Sequence, residues 1–251
     1  MISRRAFAVA VLLLSGCDQL FPEFAGSKGD LAVSTDGGAD LASSLLHGSV
    51  CRLSDLRTPT SCTATVPNRV VTIAETGATT TTASDGTFSF PTVGTTVTLV
   101  VSDPVGSAPV STPTISMLSG GTLTAARTHG VELPIIDADA YEQVELANGV
   151  GGDPSRGAVL GWVISSSGSA VAGAVATPIA SATGPLYDTS GGLETGARSG
   201  SFGTVAFFDL APGTSTIIIA APSGSSLGGD TFSLPIRPGA VTTSALMLPP
   251  G

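Results

Sequence analysis

The chain has 251 residues, room for one large domain or two of ordinary size, with 12% of residues charged and a formal net charge of −9. Thirty-two glycines and 17 prolines punctuate stretches of Thr, Ser, Val and Ala, and aromatics make up only 5%, a mixture that favours many short strands over long helices. An acidic surface with Lys28 as its single lysine repels phosphate backbones and excludes nucleic acid as a partner.

The first element is an export signal. Arg4 and Arg5 precede an apolar run, Ala6 to Leu14, that is too short to span about 30 Å of hydrocarbon but matches a signal-peptide core. Leu14-Ser15-Gly16-Cys17 follows and resembles the bacterial lipobox, which implies cleavage after residue 16 and a lipid on Cys17. Acyl chains on one residue, at about 0.8 kcal/mol per buried CH₂, would hold the protein to a membrane. Losing residues 1–16 removes two arginines and no acid, leaving 8 basic against 19 acidic residues. Residues 17–44 carry Gly, Ser, Asp and Ala without sustained periodicity and read as a lipidated flexible tether.

Residues 45–136 read as a first β-sandwich module. Gly48-Ser49-Val50 opens it. Cys51 and Cys62, the even pair left once Cys17 is lipidated, predict a disulfide in an oxidising compartment. Two thiols with no histidine between them make a poor zinc set. Val70 to Ile73 and Thr79 to Thr82 are β-branched runs, and Ser84-Asp85-Gly86 is a turn. Thr87-Phe88-Ser89-Phe90 alternates, which places both phenylalanines on one face. Thr96 to Val101, Thr114 to Leu118, Thr122 to Ala125 and Val131 to Ile136 read as further strands.

Residues 137–154 read as a helix and linker, with Asp139 as cap, Glu142 three residues on, and a stop at Asn148-Gly149. The acids there lack the glycine-bearing loop of a calcium motif and read as a solvated helix face. Residues 155–251 read as a second module. Its strands are Val159 to Ile164, Val171 to Val175, Phe202 to Phe208, Thr216 to Ile219, Thr231 to Ile236 and Val241 to Leu248.

The two modules echo each other. Gly48-Ser49-Val50 parallels Gly161-Trp162-Val163, and Phe88 to Thr95 parallels Ala206 to Thr214, each an aromatic strand, a Gly-Thr turn and a β-branched strand. Three stretches are similar to the carboxypeptidase regulatory-like domain, a transthyretin-like sandwich: Ser84 to Phe90, Gly168 to Val175, and Leu210-Ala211-Pro212-Gly213-Thr214. The resemblance covers about four fifths of the chain. It implies an all-β fold of two tandem transthyretin-like or Ig-like antiparallel sandwiches joined by a short helix, and it is nearly silent on function. The repeat and the Gly151-Gly152 linker predict modules that fold separately.

Catalytic patterns are sparse. His47, His129, Tyr141 and Tyr187 have the composition of an intradiol dioxygenase iron site but not its spacing. No Gly-x-Ser-x-Gly lies on a strand-to-helix turn. The expectation is a non-catalytic, membrane-anchored binding or scaffold lipoprotein of the cell envelope, in the inner or outer membrane, without cofactor or metal. Its partners would be the membrane and an envelope protein or glycan. The alternatives are a carbohydrate-binding lipoprotein, with Trp162 and Tyr187 as candidate ligand contacts, and an enzyme of unassigned class. An exposed Trp162 near Tyr187 would favour the glycan reading, and a buried one counts against it.

Overall fold

The computed structural model describes residues 45–58, 62–91, 93–150 and 152–251. The signal peptide, Cys17 and the 18–44 tether lie outside the described residues. The first half contains β1 (Leu46–Leu53), β2 (Cys62–Thr65), β3 (Val70–Ile73), β4 (Thr79–Thr81), β5 (Thr87–Phe90), β6 (Thr96–Ser102), β7 (Ser111–Thr112) and β8 (Thr114–Ser119). Helix α1 (Gly120–Thr128), β9 (Val131–Asp137) and helix α2 (Ala138–Asn148) follow. The second half contains β10 (Gly157–Ser165), β11 (Val175–Pro178), β12 (Thr183–Asp188), β13 (Leu193–Thr195) and β14 (Thr204–Leu210). It ends with β15 (Gly213–Ala220), β16 (Asp230–Ile236) and β17 (Val241–Leu248).

These strands form three sheets. One has the order β2-β1-β9-β7, with β5 also paired to β1; a small one has the order β11-β15-β16. The largest, β13-β12-β14-β10-β17-β8-β6-β3-β4, draws strands from both halves. The fold is all-β, as the turn and strand composition implies. The sheets are mostly antiparallel, with parallel pairing of β1 with β9, β10 with β17, and β17 with β8. The repeat appears in the topology. In each half the first strand lies between an antiparallel partner, β5 or β14, and a parallel last strand, β9 or β17.

Alternation explains the packing. Phe88 and Phe90 are both buried on one side of β5, with ring centroids 6.1 Å apart. Gly48 lets β1 approach β9 closely: a Cβ there would collide with the Val131 carbonyl oxygen. Three apolar clusters result. The first, with Val50, Leu99 and Leu133, lies within the first half. The second, with Val163, Phe207 and Ile217, lies within the second half. The third is shared: Leu53, Leu56 and Ile136 pack with Leu160, Trp162, Leu186, Leu193 and Phe208. Helix α2 covers this shared core through Ala140, Tyr141 and Val144, and the Tyr141 and Phe208 rings lie 5.7 Å apart.

Several local expectations need correction. Thr122 to Ala125 is part of helix α1, not a strand. The Ser119 N–H donates to the Thr122 hydroxyl at 2.9 Å, and Leu123 and Ala126, three apart, bury one face of the turn. Helix α2 is capped by Asp137 in extended conformation, so Asp139 lies in its first turn. Gly149 ends it in the left-handed region at φ 65°. Val171 to Ala174 is a turn that bonds back to Val163 and Ser199, and the strand begins only at Val175. Strands β2, β7, β12 and β13 lie where the sequence pattern predicts no strand.

Candidate functional site: an apolar cleft between the halves

Strand β10 is buried on both faces. Its period of two sends Val159 and Val163 into the second cluster and Ala158, Leu160 and Trp162 into the shared one. Trp162 faces Thr204 of β14 across one edge of β10 and Ala245 of β17 across the other. Thr204 is fixed from two directions. Its N–H donates to the buried Asp188 carboxylate at 2.8 Å, and its hydroxyl donates to the Arg57 carbonyl in the first half. The Arg57 guanidinium in turn donates to the Thr189 and Ser190 carbonyls.

Beyond the shared core, the β1–β9 sheet and the large sheet part and leave a cleft of about 490 Å³. Strand β9 supplies Val131 to Pro134 as one wall, and β8, β17 and β10 supply the other with Met117, Ala245, Met247, Trp162 and Ile164. Ala125 of helix α1 and the Cys51–Cys62 disulfide complete the lining. The volume lies in the range of small-molecule sites, roughly 300–1,000 Å³.

The polar groups of the cleft largely satisfy each other. The Ser116 and Thr243 hydroxyls are 2.9 Å apart, and Thr243 also donates to the Ile115 carbonyl. The Trp162 indole N–H is buried and has no acceptor among the described residues. Glu132 stands at the rim, its carboxyl pushed above its ordinary value by partial burial.

The two candidate contacts are not brought together, and this corrects their pairing. Trp162 is 5% exposed and lines the cleft, too enclosed to offer an open ring face to a sugar. Tyr187 is 2% exposed in the second cluster, where its hydroxyl accepts the Ala176 N–H at 2.9 Å. Neighbouring Leu186 points the other way, into the shared core, so β12 puts Tyr187 on the far face from Trp162. Tyr187 is a core residue with a satisfied hydroxyl. Cys51 and Cys62 are bonded as expected. Among the described residues, no group of three or more His, Cys, Asp or Glu is placed to hold a metal. No described helix is long and apolar enough to cross a membrane.

No protein-family model matches the chain, so none stands behind the resemblance to the carboxypeptidase regulatory-like domain, and no curated protein matches it. Among solved structures it is similar to the TIE protein of Bacillus anthracis at 14% identity and a TM-score of 0.28, covering 82% of this chain and 34% of that one. The chain thus spans about a third of that protein's length. The minor pilin of Streptococcus agalactiae gives 11% identity and a TM-score of 0.28, covering 83% and 97% of the two chains. The shaft pilin of Lactobacillus rhamnosus GG gives 8% and 0.27, covering 83% and 98%. At TM-scores this low, the architecture stands on this chain's own strand pairing.

Proposed function

We propose that this chain is a lipid-anchored, non-catalytic binding protein of the bacterial cell envelope that takes its ligand in the cleft between its two halves. The observation that carries the reading is the cleft itself: an apolar concavity of about 490 Å³ walled by both halves. Cys17 supplies the anchor and residues 18–44 the reach that lets the folded part stand clear of headgroups. The glycan alternative has lost its supporting observation, because Trp162 is enclosed and Tyr187 is turned away.

The anchor is tested by metabolic labelling with an alkyne palmitate and phase partitioning in detergent. Wild-type chain takes up label and enters the detergent phase; Cys17→Ser does neither. Unlabelled wild-type protein in the aqueous phase would refute the anchor.

A further inference from the structure

We propose that the cleft takes an extended peptide of a partner protein, neutral or basic in charge, inserted as a strand between β8 and β17. The proposal rests on the cleft being the binding site, and the strand pairing of the large sheet carries it. Strands β17 and β8 pair in parallel at Val241–Thr114 and Thr242–Ile115 and then part. Beyond those two positions, among the described residues, β8 pairs as a strand only with β6, and β17 only with β10, which it follows to Leu248. A strand with one neighbour bonds half of its N–H and C=O groups, and the other half points to the open side. Residues 116–119 of β8 and 243–245 of β17 line the cleft. The large sheet is therefore split from that point, with two free edges facing each other across the cleft.

Another backbone is the chemistry that matches such a gap. Its N–H and C=O groups recur every second residue on each side, so one strand serves both edges. Strands β8 and β17 run parallel. The inserted strand therefore meets both in the same sense, and the antiparallel sense gives the stronger ladder. Residues 116–119, at about 3.3 Å each, give an edge of about 13 Å, room for about four residues of peptide. The Ser116 and Thr243 hydroxyls, 2.9 Å apart, close the inner end. Trp162 and Ile164 of β10 are paired with Ala245 and Met247 of β17 and share their face. Alternation sends every second side chain of the peptide to that face, opposite the β9 wall, which favours aliphatic residues there.

Charge decides the source. No described lining residue is basic, and the one ionisable side chain of the lining is the Glu132 carboxylate at the rim. A basic side chain on the peptide meets it favourably, and an acidic one is repelled. Residues 17–44 hold five acids and one lysine, and a second copy brings a formal net charge of −9. Neither this chain's own N-terminal segment nor its twin suits the gap, so the occupant comes from a different protein.

Trp162 is the only tryptophan and lines the cleft, so its emission reports binding there. The full chain bearing Cys17→Ser is titrated with acetyl-Lys-Val-Thr-Val-Thr-Val-Lys-amide. The controls are the same peptide N-methylated at each valine, which blocks the N–H groups of one edge, the same peptide with glutamate in place of lysine, and decane. The lysine peptide should shift the emission saturably and slow amide exchange on the open edges of β8 and β17. N-methylation and the glutamate ends should each weaken binding by about tenfold or more, tenfold being about 1.4 kcal/mol. Glu132→Gln should narrow the difference between the lysine and glutamate peptides by about threefold. Ala245→Phe, which fills the cleft from β17, should abolish the shift with an unchanged circular dichroism spectrum. Equal binding of the N-methylated peptide, or saturable binding of decane alone, would overturn the strand ligand while leaving the cleft as a site. Saturable binding of none of the four would overturn both. A glutamate peptide that binds as tightly as the lysine one would overturn the charge assignment. Slow exchange on those edges in the free chain would overturn the external source: it would give the gap to the chain's own N-terminal segment if independent of concentration, and to a second copy if it grew with concentration.

Discussion

Cutting the chain at residue 155 removes the first half and uncovers one side of the shared core. The second half contributes Leu160, Trp162, Leu186, Leu193, Phe208 and Val241 to that core, packed against Leu53, Leu56, Ile136 and Val150. Full burial of a large apolar side chain is worth about 1.5–3 kcal/mol. If these six lose roughly half of their burial, the fragment forfeits roughly 5–9 kcal/mol, the scale of a whole domain's stability. It also loses the pairing of Val241 and Thr242 with Thr114 and Ile115. It keeps the second cluster, with Phe207, Tyr187 and Ile217. The fragment Ser155–Gly251 should therefore be compact but marginal. Its urea midpoint should fall by more than half relative to the full chain, and its Trp162 emission should be red-shifted toward that of exposed indole. In the full chain, Leu53→Ala should cost about 2–5 kcal/mol and lower both halves in one transition. A fragment with the parent's midpoint and emission would refute this reasoning and support two independently folding modules.

Reducing the Cys51–Cys62 bond, whose partners are 11 residues apart, should cost about 2.5–3 kcal/mol of chain entropy. That is a fall of about 5–10 °C in melting temperature, and coincident melts with and without reductant would contradict it. Gly48→Ala drives a Cβ against the Val131 carbonyl and should cost about 1–3 kcal/mol in urea unfolding, because β1 and β9 must separate. Asp103 is subject to burial, which raises its pKa, but hydrogen bonds from Val110 and Ser111 and the Arg69 charge hold it below its ordinary value. Its contribution is therefore present above the unfolded value near about 3.9 and is lost as pH falls through the lower folded value. Asp103→Asn should lower stability at neutral pH and flatten its decline below about pH 4, read as urea midpoints against wild type.

Much of the local structure was legible because it is written in short-range chemistry. Phe88 and Phe90 alternate, Asp85-Gly86 turns, and Gly149 stops helix α2 in the left-handed conformation only glycine and asparagine adopt readily. The disulfide followed from an even cysteine count. Helix α1 was hidden because its threonines look like strand residues, while its stability comes from Leu123 and Ala126 packing on a core assembled elsewhere. The cleft was illegible for a related reason. It exists because residues 114–115 pair with residues 241–242, a contact across more than a hundred positions that no local pattern announces. Trp162 stood out as a lone tryptophan, but only the fold shows that its ring is enclosed and its N–H unmatched.

The parallel pairing of β1 with β9 has a mechanical consequence. The strands run together over six residue pairs, from Gly48–Val131 to Leu53–Ile136. In a chain held at its N-terminus, a pull enters at the first end of β1. It leaves through the far end of β9, into helix α2 and the second half. In parallel strands those two points lie at opposite ends of the ladder, so the load falls on all its hydrogen bonds together and cannot open them one at a time. Such a shear clamp resists force far better than a hairpin peeled from its tip, and β1 is the first of the described strands, so a pull from the N-terminal side would reach this ladder before the other described strands.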